Sequence, residues 1–163
     1  MEKELPKRKN IRLQDYDYSS AGAYFITICV KDMHEMLGEV AVGAASGRPQ
    51  MLLSGYGQIV DAWIDKISDK YPYAKVENKV VMPNHIHMIL SIQEDGRPNA
   101  APTVSIGRII GYFKYQTIKE IDISGFWQRS YHDHIIRDEP EYRQIFEYIT
   151  ENPARWANDC YYT

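Results

Sequence analysis

Two histidines and a tyrosine are the residues of this sequence best spaced to do chemistry. His85 and His87 flank Ile86 in the run Val80-Val81-Met82-Pro83-Asn84-His85-Ile86-His87-Met88-Ile89-Leu90-Ser91-Ile92, which reads as a turn followed by a β-strand. Strand side chains alternate between faces, so Ile86, Met88, Leu90 and Ile92 form one apolar face. His85 and His87 project together from the other face, with Ile89 and Ser91 behind them. Two imidazoles side by side on a rigid element can hold one divalent metal ion, although a lone strand histidine is more often structural. Further along, Gln144, Tyr148 and Asn152 stand one helical turn apart and share a face. Tyr148 offers a phenolic oxygen for nucleophilic attack, and a free pKa near ~10 means that a metal or base must assist it. Asn152 offers a carbonyl oxygen as a further ligand. Against this stands the abundance of tyrosine, 13 in the chain, since a helical tyrosine more often packs than reacts.

The chain as a whole sets the frame for such a site. Its 163 residues suit a single domain, 1–163, with a real hydrophobic core. A composition of 44% hydrophobic and 25% charged residues is that of an ordinary globular protein. No apolar run approaches membrane-spanning length, so no membrane partner is expected. The charged opening Met1-Glu2-Lys3-Glu4-Leu5-Pro6-Lys7-Arg8-Lys9 lacks the apolar core of a signal peptide. Cys29 and Cys160 have no C-x-x-C spacing, which argues against a disulfide framework or a zinc knuckle. Together these point to a cytoplasmic protein. The net charge of −3 does not mark a general nucleic-acid binder, but the positive residues are clustered. Lys3, Lys7, Arg8, Lys9 and Arg12 make residues 1–20 a basic arm, Arg108, Lys114 and Lys119 recur in one helix, and Arg129, Arg137, Arg143 and Arg155 occupy the last third. Such clusters can follow a phosphate backbone, though each alone is more often a solvated surface.

The elements that would position the candidate residues follow from periodicity. Ala23–Val30 is β-branched and aromatic and reads as the first strand. Met36–Val42 and Gln50–Leu53 can form a small hairpin insertion over 36–53. Gly57–Lys70 carries Ile59, Val60, Trp63, Ile64 and Ile67 at helical spacing, and Tyr73–Met82 reads as a second strand leading into the His strand. A loop over 94–102 precedes a helix at Thr103–Ile118, and a short strand lies near Tyr131–Ile136. Asp138-Glu139-Pro140-Glu141 is a helix start with an acidic cap and proline in the first turn. The helix it opens is expected to run to about Thr150 and to end at Asn152-Pro153. Tyr142, Ile145, Phe146 and Ile149 form its docking face. The order predicts an α+β, ferredoxin-like (RRM-like) fold: a four-stranded antiparallel sheet with two helices on one face and an additional C-terminal helix carrying Tyr148. The first and third strands of that topology are central, which puts the His pair mid-sheet on the open face, with the last helix over it.

These residues also resemble a known family. Met82-Pro83-Asn84-His85-Ile86-His87, with the later Tyr148-Ile149-Thr150-Glu151-Asn152-Pro153, is similar to the motifs of the single-tyrosine HUH transposases. Arg8-Lys9-Asn10-Ile11-Arg12-Leu13, Tyr16-Asp17-Tyr18, Gly22-Ala23-Tyr24-Phe25-Ile26-Thr27 and the stretch Phe126-Trp127-Gln128-Arg129-Ser130-Tyr131-His132-Asp133-His134-Ile135-Ile136-Arg137 resemble the REP-associated tyrosine transposase branch. The resemblance runs from Lys7 to Trp156. It implies a transposase in which Mg²⁺ or Mn²⁺ is held by His85, His87 and Asn152, a position where insertion-sequence members often carry Gln. Tyr148 would be the nucleophile, cleaving single-stranded DNA beside a hairpin and rejoining it through a 5′-phosphotyrosine link. Lys7, Arg8, Lys9, Arg12, Arg129 and His134 are the implied DNA-binding residues. Assembly stays open between a monomer and a homodimer with exchanged tyrosine helices.

Two rival readings come from other classes. One is a catalytically silent RRM-like nucleic-acid-binding module with aromatics such as Tyr24 as stacking platforms. The other is a metal-dependent phosphohydrolase in which activated water attacks. His132-x-His134 is a second His pair on a strand, but its neighbours are polar, and a structural role for it is at least as good a reading. Asp133 is an extra acidic ligand or a surface charge.

Overall fold

Strand β1 (Gly22–Cys29) pairs antiparallel with β5 (His85–Ile92) on one side and with β6 (His132–Ile136) on the other. Strand β4 (Ala74–Val81) completes the sheet beyond β5, giving the order β4-β5-β1-β6. This is the ferredoxin-like arrangement that the sequence predicts, with the His strand central. The computed structural model of the chain describes residues 21–43, 47–93 and 104–163. The basic arm 1–20, with Lys7, Arg8, Lys9 and Arg12, therefore lies outside the described residues.

One sheet face is apolar because alternation makes it so. Tyr24, Ile26 and Ile28 of β1 and Ile86, Met88 and Leu90 of β5 are all fully buried. They pack in one core with Val60 and Ile64 of α1 (Gly55–Asp65) and with Ile109, Ile110 and Phe113 of α3 (Ile106–Ile121). Burying each such side chain contributes about 1.5–3 kcal/mol. A bulge in β4 lets that strand serve both faces. Val76 stands opposite Leu90 and Asn78 opposite Ile89, leaving Glu77 as the extra residue. Beyond it Lys79 turns toward the helices, where its ammonium pairs with Asp61 and Asp65, while Asn78 faces the open side.

Several boundaries differ from expectation. The helix read over Gly57–Lys70 is divided at Lys66 into α1 and α2 (Ile67–Lys70), where the bond from the Lys66 amide to Ala62 stretches to 3.3 Å. Helix α3 runs to Ile121 rather than Ile118, since the buried series Phe113, Thr117, Ile121 keeps its spacing; it ends where Asp122 adopts left-handed backbone, φ 59°. The hairpin is present as β2 (Gly38–Val42) and β3 (Pro49–Leu53).

The last helix, α4 (Glu139–Arg155), starts at the expected cap. The Asp138 carboxylate accepts from the Glu141 amide, and Glu141 accepts from the Arg137 amide. It does not end at Asn152-Pro153. Pro153 sits inside it, close enough to the end that one forfeited hydrogen bond does not stop the helix. A 3-10 turn at Trp156–Asn158 then brings the chain back. The helix lies on the open sheet face, where Asn78 donates to the Phe146 carbonyl at 3.0 Å and to the Thr150 hydroxyl at 3.1 Å. Its docking is narrower than the apolar pattern implies: Ile149 and Asn152 are fully buried, whereas Phe146 remains 38% exposed and Gln144 is exposed.

Candidate active site

His85 and His87 are buried on the open face, beneath α4 and the segment that follows it. Each imidazole is held by its Nδ1. That of His85 lies 2.8 Å from Asn84 Oδ1, an atom that only accepts, so Nδ1 carries the proton and Nε2 presents a lone pair. That of His87 lies 2.8 Å from the Thr27 hydroxyl on the adjacent strand, opposite His87 in register. The two Nε2 atoms face each other at 3.0 Å. Burial pushes His85 down to about 4, against the pull of the nearby Asp159 carboxylate. Burial and then the neighbouring His85 hold His87 well below its ordinary value. Both rings are thus neutral at physiological pH, the state in which imidazole binds a metal.

Helix α4 delivers Tyr148 to the same place. Its hydroxyl stands 3.4 Å from His87 Nε2 and donates to Asp159 Oδ2 at 3.1 Å. The ring meets Phe25 edge-on at 6.1 Å between centroids, and Phe25 in turn lies against His87 at 5.1 Å. Burial raises the Tyr148 phenol well above its ordinary value, and the charge of Asp159 adds to this, while Asn152 opposes it. Burial therefore disfavours the phenolate of Tyr148, and positive charge placed beside the hydroxyl would favour it. One turn on, Asn152 is fully buried and donates from Nδ2 to Asp159 Oδ2 at 2.9 Å. Its Oδ1 is buried with no hydrogen-bond partner among the described residues. Such an orphaned acceptor is costly unless something binds it.

The residues fit a divalent ion. Two ligand atoms about 2.1 Å from an octahedral ion stand about 3.0 Å apart at a right angle, and the imidazole Nε2 atoms are 3.0 Å apart. The Nδ1 contacts to Asn84 and Thr27 are of the kind that orients histidines when they bind a metal. Asn152 supplies an unpartnered buried carbonyl oxygen.

The other singled-out residues sit elsewhere. His134 donates to or is paired with Glu141 at 2.6 Å, tying β6 to the first turn of α4 and away from the His pair. His132 and Asp133 stand on the same edge strand, outside the metal-ligating group, and Arg129 is exposed in the loop before it. Tyr24 cannot be a stacking platform on the open face, because it is fully buried in the core beneath the sheet; Phe25 is the aromatic that alternation places beside His87. Two residues escaped the sequence reading. Asp159 groups with His85 and His87, their ligand atoms all within 4.8 Å of one another. Tyr161 lies with its ring centroid 4.4 Å from that of His85, and its carbonyl accepts from Asn84 Nδ2 at 2.8 Å. Both follow the last helix, where no periodic pattern announces a position.

No family model matches the chain. A Haemophilus influenzae protein of uncharacterised function is 35% identical over 173 residues, covering 95% of this chain and 93% of its own length. A second protein from that organism, provisionally named a REP-associated tyrosine transposase, is 25% identical over 149 residues, 85% of this chain and 74% of its own. Among solved structures, a REP-associated tyrosine transposase bound to a REP hairpin is similar with a TM-score of 0.65 at 21% identity, over 89% of this chain and 74% of that one. A provisionally assigned transposase from Deinococcus radiodurans R1 gives a TM-score of 0.50 at 16% identity, over 88% and 98%.

Proposed function

We propose that the chain is a REP-associated tyrosine transposase, as its likeness to one such solved structure and to a relative provisionally given that name supports, and that it is a metal-dependent transesterase acting on single-stranded DNA beside hairpins. The observation that carries this reading is the Tyr148 hydroxyl standing 3.4 Å from His87 Nε2 in a single chain. His85, His87 and Asn152 are the proposed ligands of Mg²⁺ or Mn²⁺, and Tyr148 is the proposed nucleophile. When bound, the ion polarises the scissile phosphate and stabilises the charge that develops on it.

The chain's own residues supply the rest. Asn84 and Thr27 fix the two imidazoles, so the ligands need not reorganise at the moment of reaction. Helix α4 presents the phenol toward the same point, which gives the proximity that covalent catalysis needs. The phenolic oxygen attacks phosphorus, the bond to the 3′ oxygen breaks, and a 5′-phosphotyrosine link and a free 3′-hydroxyl result. The phenol's proton balances the one gained by the departing oxygen. Because the ester bond is exchanged rather than hydrolysed, a second 3′-hydroxyl can reverse the step and rejoin the strand.

The hairpin partner is proposed from the solved relative bound to a REP hairpin. Arg129, exposed in its loop, and the basic residues Lys7, Arg8, Lys9 and Arg12 are the proposed DNA contacts, with His134 a weaker one because Glu141 already engages it. Cleavage by one chain acting alone is favoured, since Tyr148 reaches the histidines of its own chain and no exchange of helices is needed. The test is a 3′-labelled single-stranded hairpin, whose label stays on the strand held through its 5′-phosphate, incubated with protein and Mg²⁺ or Mn²⁺. A gel-stable protein–DNA adduct that needs metal and vanishes in Tyr148→Phe supports the proposal. Cleavage that survives Tyr148→Phe favours a hydrolase, and binding without cleavage favours a silent module.

A further inference from the structure

We propose that Asp159 is a carboxylate ligand of the same metal ion, supplied by the segment after the last helix. The inference rests on the metal-site reading above and adds to it a residue that neither periodicity nor family resemblance marks. Its geometry comes first. The ligand atoms of Asp159, His85 and His87 lie within 4.8 Å of one another. An octahedral ion about 2.1 Å from each donor spans about 4.2 Å between opposite ligands. Donors gathered this closely can meet one ion with small side-chain movements.

Chemistry points the same way. Two neutral imidazoles and a neutral amide leave both charges of a divalent ion uncompensated in a buried site. Magnesium and manganese are hard ions that favour oxygen donors, and a carboxylate raises affinity through its charge as well as its oxygen. Asp159 is the one acidic residue that the described residues bring to the His pair.

The surrounding bonds hold it there. Asp159 Oδ1 accepts from the Tyr161 amide at 2.8 Å, while the Tyr161 carbonyl accepts from Asn84, whose Oδ1 orients His85. A closed path of hydrogen bonds thus links Asp159 to the first histidine. On the other side, Oδ2 accepts from Tyr148 and from Asn152.

Isothermal titration of the full chain with Mn²⁺ tests this, without reference to DNA cleavage. The expected result is one site in the natural protein, its loss in His85→Ala/His87→Ala, and affinity weakened on the order of 10–100-fold in Asp159→Asn. Asp159→Glu, which keeps the carboxylate, should recover part of that loss and guards against a variant that merely loosens the chain end. Natural affinity in Asp159→Asn, or no gain in Asp159→Glu over it, overturns the inference and leaves the His-pair site standing. Binding that survives the double histidine variant but needs Asp159 overturns the shared site. No binding to the natural protein overturns both readings.

Discussion

The strand that carries His85 and His87 and the helix that carries Tyr148 meet at one site, yet they are held in different ways. Strand β5 is flanked by hydrogen-bonded strands on both sides and is buried nearly throughout. Both of its imidazoles have each ring nitrogen within hydrogen-bond distance of a neighbour. Helix α4 has 17 residues, of which Ile149 and Asn152 are the ones fully buried, and its middle is fastened to the sheet by the Asn78 side chain. Its start is fastened at an exposed pair, His134 with Glu141. Metal ligands must be rigid to fix coordination. Under the proposed reaction, a nucleophile that keeps one DNA end while another end departs and a third arrives would gain from a less tightly docked support. The contrast makes β5 the preorganised half and α4 the adjustable half.

Breaking the rigid half should have the largest effect. His87→Ala removes a proposed ligand and leaves the Thr27 hydroxyl and the His85 Nε2 without their buried partner. The expected cost is about 2–4 kcal/mol in metal-free stability, together with loss of Mn²⁺ binding, read by denaturant melts and calorimetry. The pH dependence of the chelator-treated protein probes the same half without a mutation. The folded protein keeps His85 neutral down to about 4, whereas the unfolded chain takes up the proton near ~6.5. Between those values the unfolded state binds more protons, so stability is fully present above ~6.5 and is lost as pH falls toward ~4. His85 alone accounts for up to about 3 kcal/mol of this, and His87, shifted the same way, adds to it. A melting temperature flat across that window would contradict the burial account.

Loosening the adjustable half should cost less. Asn78→Ala deletes the side-chain bonds to Phe146 and Thr150, with an expected loss of about 1 kcal/mol. Amide exchange should quicken in α4 and not in β5; equal quickening in both would erase the distinction between the halves. The smallest effect is expected at Gln144, which shares the Tyr148 side of the helical pattern but is exposed. Gln144→Ala should change stability by less than about 0.5 kcal/mol and leave adduct formation unchanged.

The two halves also differed in how legible they were. Alternation alone assigned His85 and His87 to one face and the apolar residues of β5 to the other, because a strand admits no other arrangement. The cap at Asp138 and Glu141 was equally readable, since those side chains act locally. In β1 the signal was ambiguous: Tyr24 and Phe25 are both aromatic in an apolar run, and only the β5 pairing decides which one meets the histidines. The bulge at Glu77 leaves no pattern, yet it is what turns Asn78 toward α4. Pro153 misled because proline is a helix breaker on average, and near a helix end the penalty is small. Asp159 reaches the site through a 3-10 turn, a long-range consequence of where α4 docks.

The central claim is that Tyr148, and no other tyrosine, takes the DNA strand. Tyr161 makes the question sharp, since its ring also lies against His85, at 4.4 Å. Proteolysis of the purified protein–DNA adduct, followed by nuclease trimming and peptide mass spectrometry, decides it. The account predicts a 5′-phosphodeoxynucleotide on the peptide containing Tyr148. The same mass on the peptide containing Tyr161, or cleaved DNA bearing free 5′-phosphates with no modified peptide, would contradict it.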